Sequence, residues 1–386
     1  MTTSHRPVPY RKVSSVCASN ISSTPQPSTV HASHILRQAA TSSFCPRTIQ
    51  TQPATQDERI GPRILIRLVS KMTNFWNRSL IRLIGHEALN NEMYGHAGVL
   101  RRYCGLKIPI PIQGFVQHGW SFGPGIPFDD LESGGLSRDS HFSLWNPRNE
   151  EQCHELGFHN VRVIGAPLLY LQPLPKPSNE APKSLLLFPG HSANSEPFAE
   201  DGAGFFSKYL EELHPVISSF QSTTICLYWR EFEDTRIRRQ VEDRGLAITT
   251  LGNRDQTPNF VARLRDLVLR HQYVSSNSYS TALFYSLYLG RRTFVHGQTF
   301  VGRLKPESVD SLTQYDEMRR RYPQLEWDRF NDTSYQDIGA DEIGASFQLR
   351  PDELRAELGW TPSRQLTSIG RRAGGYAWRK LNLSGG

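Results

Sequence analysis

Tyr273-Val-Ser-Ser-Asn-Ser-Tyr-Ser-Thr-Ala-Leu-Phe-Tyr285 decides the fold. A short β-prone run ends in a crowd of small hydroxyl residues and passes straight into an apolar helix. Free backbone N–H groups and side-chain donors therefore converge at the positive end of a helix dipole, the local chemistry that binds a diphosphate. A simpler use of the same residues is capping, with Ser278 or Ser280 closing the helix start.

Outward from this stretch the hydrophobic period switches regularly between strand and helix. Ser184–Phe188, Thr223–Trp229, Leu246–Leu251, Tyr273–Ser275 and Thr293–Val295 read as strands. Phe205–Leu213, Glu233–Arg244, Phe260–Arg270 and Thr281–Leu289 read as the helices between them. Strands alternating with helices of about ten residues imply right-handed crossovers and a parallel sheet. Residues 184–297 are thus expected to form a doubly wound, Rossmann-like α/β domain. Such sheets bind ligands at the carboxyl ends of their strands. There the loops hold Pro189–Ser192, Arg230–Glu231, Gly252–Asp255, Ser276–Ser280 and His296–Gly297. The expected donor-side residues are His191, Ser192, Arg230, Arg254, Ser276, Asn277, Ser278, Ser280 and Thr281. The two arginines would neutralise phosphate or, failing that, pair with Glu231 and Asp255.

Four prolines between residues 172 and 183 forbid a central strand and mark a linker. Before it, 72–171 repeats the α/β pattern less regularly, with Phe142–Trp145, a helix over Asn149–Leu156, and Val161–Gly165. The β-prone run through Gly114-Phe-Val-Gln-His118-Gly119 ends in His-Gly, and His118 is the general-base candidate. Taking a proton from an attacking hydroxyl needs a group that titrates near neutrality, and histidine does so at least cost; a structural histidine bonded to a carbonyl is the alternative. The region 184–386 completes the chain, ending in helices with a basic terminus that could rest on an anionic membrane surface or pack across the domains.

Composition narrows the classes. The +7 formal charge is concentrated in residues 1–71, which hold nine Lys or Arg and two acids, leaving 35 of each in the rest. The body is neutral, which argues against a nucleic-acid partner. Residues 1–56 carry no acid, are rich in Ser, Thr, Pro and Gln, and are expected to be a disordered tail. That tail reads either as a targeting segment or as sequence upstream of a start at Met72. Five scattered cysteines without a CxxC pair fit a reducing cytoplasm. His86, Glu87 and His96 match no zinc-binding spacing, so no metal is expected. Neither GxxxxGK[ST] nor a GxGxxG after the first strand of 184–297 is present, which disfavours P-loop enzymes and dinucleotide dehydrogenases.

Gln117-His-Gly-Trp120, Trp145-Asn146 and Ile164-Gly-Ala-Pro167, followed by Gly252-Asn-Arg-Asp255 and Ser276 to Gly290, together resemble the bacterial GT-B fold transferases of capsule and surface polysaccharide synthesis. The resemblance spans about residues 80–350 and rests on motif order. It implies two Rossmann-like domains facing a cleft, a nucleotide-sugar donor on the second domain, and a glycan or lipid-linked acceptor on the first. No obligatory metal or other cofactor is implied. His118-Gly119 is also similar to the His-Gly of polyglycerol-phosphate polymerases, where the histidine acts as base and the donor is CDP-glycerol. Those enzymes favour a small Thr where this chain has Trp120. The expected function is therefore a cytoplasmic glycosyltransferase, peripheral at the membrane at most, with His118 as base. A CDP-polyol phosphotransferase and a non-catalytic nucleotide- or glycan-binding relative are the alternatives.

Overall fold

The computed structural model describes residues 91–107, 110–126, 137–171, 183–190, 202–297 and 309–361, together with Ser363. The expectations for the tail 1–71, for residues 72–90, for the linker 172–182 and for the basic end beyond Ser363 lie outside the described residues.

Five strands build the larger sheet, whose elements follow the sequence reading with small shifts at their ends. They are β4 (Ser184–Phe188), β5 (Ser222–Leu227), β6 (Ala247–Thr250), β7 (Tyr273–Ser276) and β8 (Arg292–Val295), all parallel, in the order β6-β5-β4-β7-β8. The central β4 is Leu-rich and buried along its whole length, as a strand covered on both faces must be. Its side chains alternate: Leu185 and Leu187 enter one apolar cluster with Phe206, Leu210 and Ile225, whereas Leu186 and Phe188 enter the other with Leu264 and Val274. The winding starts at β4, runs outward through β5 and β6, then reverses to β7 and β8. The reversal leaves a crevice between the ends of β4 and β7, the switch point where open α/β sheets bind ligands.

A smaller parallel sheet precedes it, with β1 (Phe115–Val116), β2 (Phe142–Leu144) and β3 (Val161–Val163) in that order. In chain order, α1 (His96–Tyr103) comes before this sheet and α2 (Pro147–Glu155) joins β2 to β3. The start of α2 is written in Trp145-Asn146-Pro147: the Asn146 side chain accepts from the Asn149 N–H at 3.1 Å, and Pro147 takes a position that needs no donor. The larger sheet is flanked by α3 (Gly202–Ile217), α4 (Trp229–Glu233), α5 (Thr235–Glu242), α6 (Phe260–Leu269) and α7 (Thr281–Tyr288). A single charged helix over 233–244 is expected; instead the chain breaks at Asp234, whose carboxylate accepts from the Arg236 N–H and caps α5. The fold class expected from the sequence is present, a mixed α/β chain built on parallel sheets.

Beyond β8 come α8 (Val309–Arg321), α9 (Gln336–Glu342) and α10 (Pro351–Glu357). The last two return to the first sheet's side of the molecule. Ala166 N–H donates to Ile343 O at 2.8 Å, Gln113 N–H to Leu358 O at 3.1 Å, and Trp360 Nε1 to Pro111 O at 3.0 Å. One apolar cluster joins Val99, Leu100, Trp145 and Leu168 of the first part to Leu186, Leu264 and Tyr285 of the second, and the Trp145 and Tyr285 rings stack at 5.5 Å. The two sheets therefore share a core.

Gly344 closes this seam. Its φ is +68°, and a Cβ there would lie 1.8 Å from Trp145 O. Gly344→Ala combines a left-handed alanine, costing about 1–2 kcal/mol, with a backbone overlap. The expected loss is at least about 2 kcal/mol, seen as a thermal midpoint lowered by several degrees. An unchanged midpoint would mean that the return of the chain onto the first sheet is not packed as described.

Candidate functional site

A cavity of ≈ 450 Å³ opens at the crevice between β4 and β7. Its walls come from the ends of β4 (Phe188, Pro189, Gly190), β5 (Leu227, Tyr228) and β6 (Leu251, Gly252), and from the turn into α7 (Ser276, Ser278, Ser280, Thr281). His118 reaches it from the segment after β1, and Tyr94 and His96 from the start of α1. Phe260, Val261 and Leu264 of α6 complete an apolar side. The volume lies within the roughly 300–1,000 Å³ common for small-molecule sites. Among the described lining residues there is no carboxylate.

The hydroxyl-rich turn divides its tasks. Ser280 caps α7, its Oγ accepting from the Leu283 N–H at 3.4 Å. Ser276 Oγ accepts from the Ser278 N–H at 3.2 Å and shapes the turn. Asn277 is fully buried and accepts the Gly190 N–H at 2.6 Å, pinning the end of β4 to that of β7 across the crevice. Thr281 Oγ1 accepts from the Trp120 N–H at 2.8 Å, which fixes the His118–Trp120 segment over the helix start. Ser278 is half-buried on the cavity wall, and its hydroxyl makes no hydrogen bond within the described residues.

The arginines are placed differently. Arg254 lies behind Tyr94, with its guanidinium 5.9 Å from that ring, and pairs with Asp255 at 3.5 Å. It also lies within electrostatic reach of the Tyr228 hydroxyl, so it stands one side chain away from the cavity. Arg230, in the first turn of α4, covers the Trp229 ring at 5.2 Å and is not among the lining residues. His191 and Ser192 lie outside the described residues.

His118 packs edge-on against Phe115, ring centroids 4.8 Å apart, within the field of a second imidazole, His96. His96 is 2% exposed. Burial first, and the positive charge of a protonated His118 second, push its pKa down to about 3, so it is uncharged at neutral pH. The Cys226 thiol in the same wall is pushed up to about 12 by burial, which removes it as a thiolate nucleophile.

Tyr94, His96, Tyr228 and Phe260 were not expected here from the sequence. His96 drew notice only for a metal spacing it does not fit. The signal is backbone geometry: Tyr94 has φ +56° and Gly95 φ +72°, and the Tyr94 N–H donates to Arg254 O at 2.8 Å. That turn swings the start of α1 against the loop after β6.

No family model matches this sequence, and no curated protein matches it. Solved structures similar to it include the UDP-GlcNAc 2-epimerase from Neisseria meningitidis bound to UDP-GlcNAc (14% identity, 60% of this chain and 67% of that one, TM-score 0.32). They also include MnaA of S. aureus with UDP (11%, 64% and 68%, TM-score 0.34) and a form of the wall teichoic acid polymerase TagF (12%, 56% and 59%, TM-score 0.28). Likenesses of this size carry no functional assignment.

Proposed function

We propose that the protein is a glycosyltransferase that moves a sugar from a nucleotide donor to the hydroxyl of a glycan or lipid-linked acceptor. The observation that carries this reading is one cavity at the β4–β7 switch point in which an imidazole of the first part, His118, shares a wall with the uncommitted Ser278 and the start of α7. A parallel sheet and a helix N-terminus suit a diphosphate, and a neutral imidazole suits removal of a proton from an attacking hydroxyl.

In this mechanism the donor's diphosphate lies at Ser278–Thr281, with the Arg254 charge behind Tyr94 adding to the positive potential. Phe188, Leu251 and Phe260 offer the apolar surface for its nucleoside. The acceptor oxygen attacks the anomeric carbon as the bond from that carbon to the diphosphate oxygen breaks. The acceptor's proton passes to a ring nitrogen of His118, and the nucleoside diphosphate leaves with its new charge facing the α7 dipole. The acceptor enters from the side of the first sheet. Among the described residues no helix is long and apolar enough to cross a membrane, and a lipid-linked acceptor would be met from the membrane surface.

The test is thermal unfolding of the full chain with UDP, GDP, CDP or CMP, each with and without magnesium. One nucleotide at 100 times its Kd is expected to add about 2.7 kcal/mol of stability, and Ser278→Ala to weaken that binding by roughly tenfold, the equivalent of one hydrogen bond. Failure of all four nucleotides to shift the midpoint would end the nucleotide-donor reading and leave a glycan-binding role in its place.

A further inference from the structure

The residue before the proposed base, Gln117, is 1% exposed, and its carboxamide is bonded to backbone groups on two sides. Nε2 donates to Gly119 O at 2.9 Å, reaching past His118 to the next peptide, and Oε1 accepts from the Trp145 N–H at 2.9 Å. These partners fix which way the amide points, because a backbone N–H can only donate and a carbonyl can only accept. The main chain of Gln117 is held as well: its N–H donates to Ser143 O at 3.0 Å, and its carbonyl accepts from Trp145 Nε1 at 3.0 Å. Gly125, at φ +74°, lies against the carboxamide so closely that a Cβ there would stand 2.6 Å from the amide carbon. Beyond His118, the Trp120 N–H is bonded to Thr281, and a Cβ on Gly119 would lie 2.8 Å from the same hydroxyl. His118 therefore joins two anchored peptides, with the Phe115 ring 4.8 Å from its own.

Resting on the reading of His118 as base, we propose that Gln117 is the positioning residue of the transfer, its carboxamide clasping the peptides around His118 and so fixing the direction in which the imidazole enters the cavity. Reacting groups must be held to about 0.5 Å, and a misplacement of about 1 Å can cost roughly 100-fold in rate. Trp145 carries the clasp to the donor side. It is bonded to Gln117 through both its backbone and its indole N–H, and its ring stacks at 5.5 Å on Tyr285 of α7, a residue of the cavity wall. The base and the helix that faces the diphosphate are thereby held in register through Gln117, Trp145 and Tyr285.

Imidazole ¹H and ¹⁵N spectra of the full chain test this, the His118 signals being assigned by their absence in His118→Ala. In the parent they should carry a displacement from the Phe115 ring. That displacement should be lost in Gln117→Met, which keeps the length of the side chain and removes both its donor and its acceptor. With the acceptor used for His118→Ala, kcat of Gln117→Met should fall by roughly 10–100-fold, while the donor's KM and the nucleotide affinity stay within about twofold. Gln117→Glu keeps the acceptor for Trp145 but meets Gly119 O with a carboxylate oxygen, and the same loss of rate is expected. Without any substitution, the Gln117 side-chain amide protons should exchange slowly with solvent, a readout that survives even if neither variant folds. Unchanged His118 signals and kcat in a folded Gln117→Met, beside a lowered rate in His118→Ala, would overturn the inference and leave the base reading standing, as would freely exchanging amide protons. Undiminished turnover in His118→Ala would remove the base reading itself, and this inference with it.

Discussion

His118→Ala is expected to lower turnover by roughly 10²–10⁴-fold, the usual contribution of a general base, while nucleotide affinity stays within about twofold. The asymmetry follows from the proposed geometry. The diphosphate is held by the turn into α7, whereas His118 arrives on the segment after β1 and meets the acceptor's proton. An alanine there removes the proton acceptor and leaves Ser278, the α7 dipole and Arg254 untouched. Once the acceptor is known, steady-state kinetics and titration of the same variant separate the two effects. A matching loss of affinity and rate would make His118 a ligand-binding residue. Undiminished turnover would place the base elsewhere.

Glu342→Ala should cost about 3–5 kcal/mol of stability, the range for breaking a buried ion pair from one side. Glu342 is 2% exposed and accepts from both terminal nitrogens of Arg148 at 2.7 Å, from the Tyr322 hydroxyl at 2.6 Å and from Trp120 Nε1 at 2.6 Å. Its backbone carbonyl accepts from the Asn146 side chain at 2.8 Å. This one side chain ties α9 to α2 and to the Trp120 segment beside the cavity. Alanine would leave the Arg148 guanidinium without its carboxylate. Burial alone would raise the carboxyl pKa, but the bonds from Arg148, Tyr322 and Trp120 outweigh it and hold the group below its ordinary 4.5. A depressed carboxyl stabilises the fold fully above its unfolded value and loses that contribution as pH falls through the folded one. The gap in chemical-denaturation stability between Glu342→Gln and the parent should thus be constant from pH 8 to about 5 and close below about 4. A gap that persists unchanged into stronger acid would show that the charge of Glu342 is not what holds the seam.

Much of the fold is set locally, and so was legible. Ser184–Phe188 reads as a buried strand because five successive apolar or small residues leave no solvent face. Val261, Leu264, Leu267 and Val268 recur at helical spacing, and Asn146-Pro147 writes a helix start within two residues. The strand-to-helix alternation then fixes where strand ends lie, and with them the hydroxyl-rich turn at Ser276–Thr281. Sequence could apportion only the local one of the tasks within that turn. The cap was legible as Ser278 or Ser280, and Ser280 takes it through Leu283, three positions on, whereas Asn277 as a clamp on Gly190 and Thr281 as the anchor of Trp120 depend on partners 87 and 161 positions away.

The sequence by itself determined the parallel α/β winding and the loops in which a ligand must lie, because hydrophobic period and turn chemistry act over a few residues. Only the tertiary structure decided which of those loops meet in one cavity, that the start of α1 brings His96 beside His118, and that Glu342 bonds Trp120 from 222 positions away. Those contacts are set by how two sheets share a core. No local pattern records that packing, since the burial of His96 and Glu342 comes from elements far from either residue in the chain.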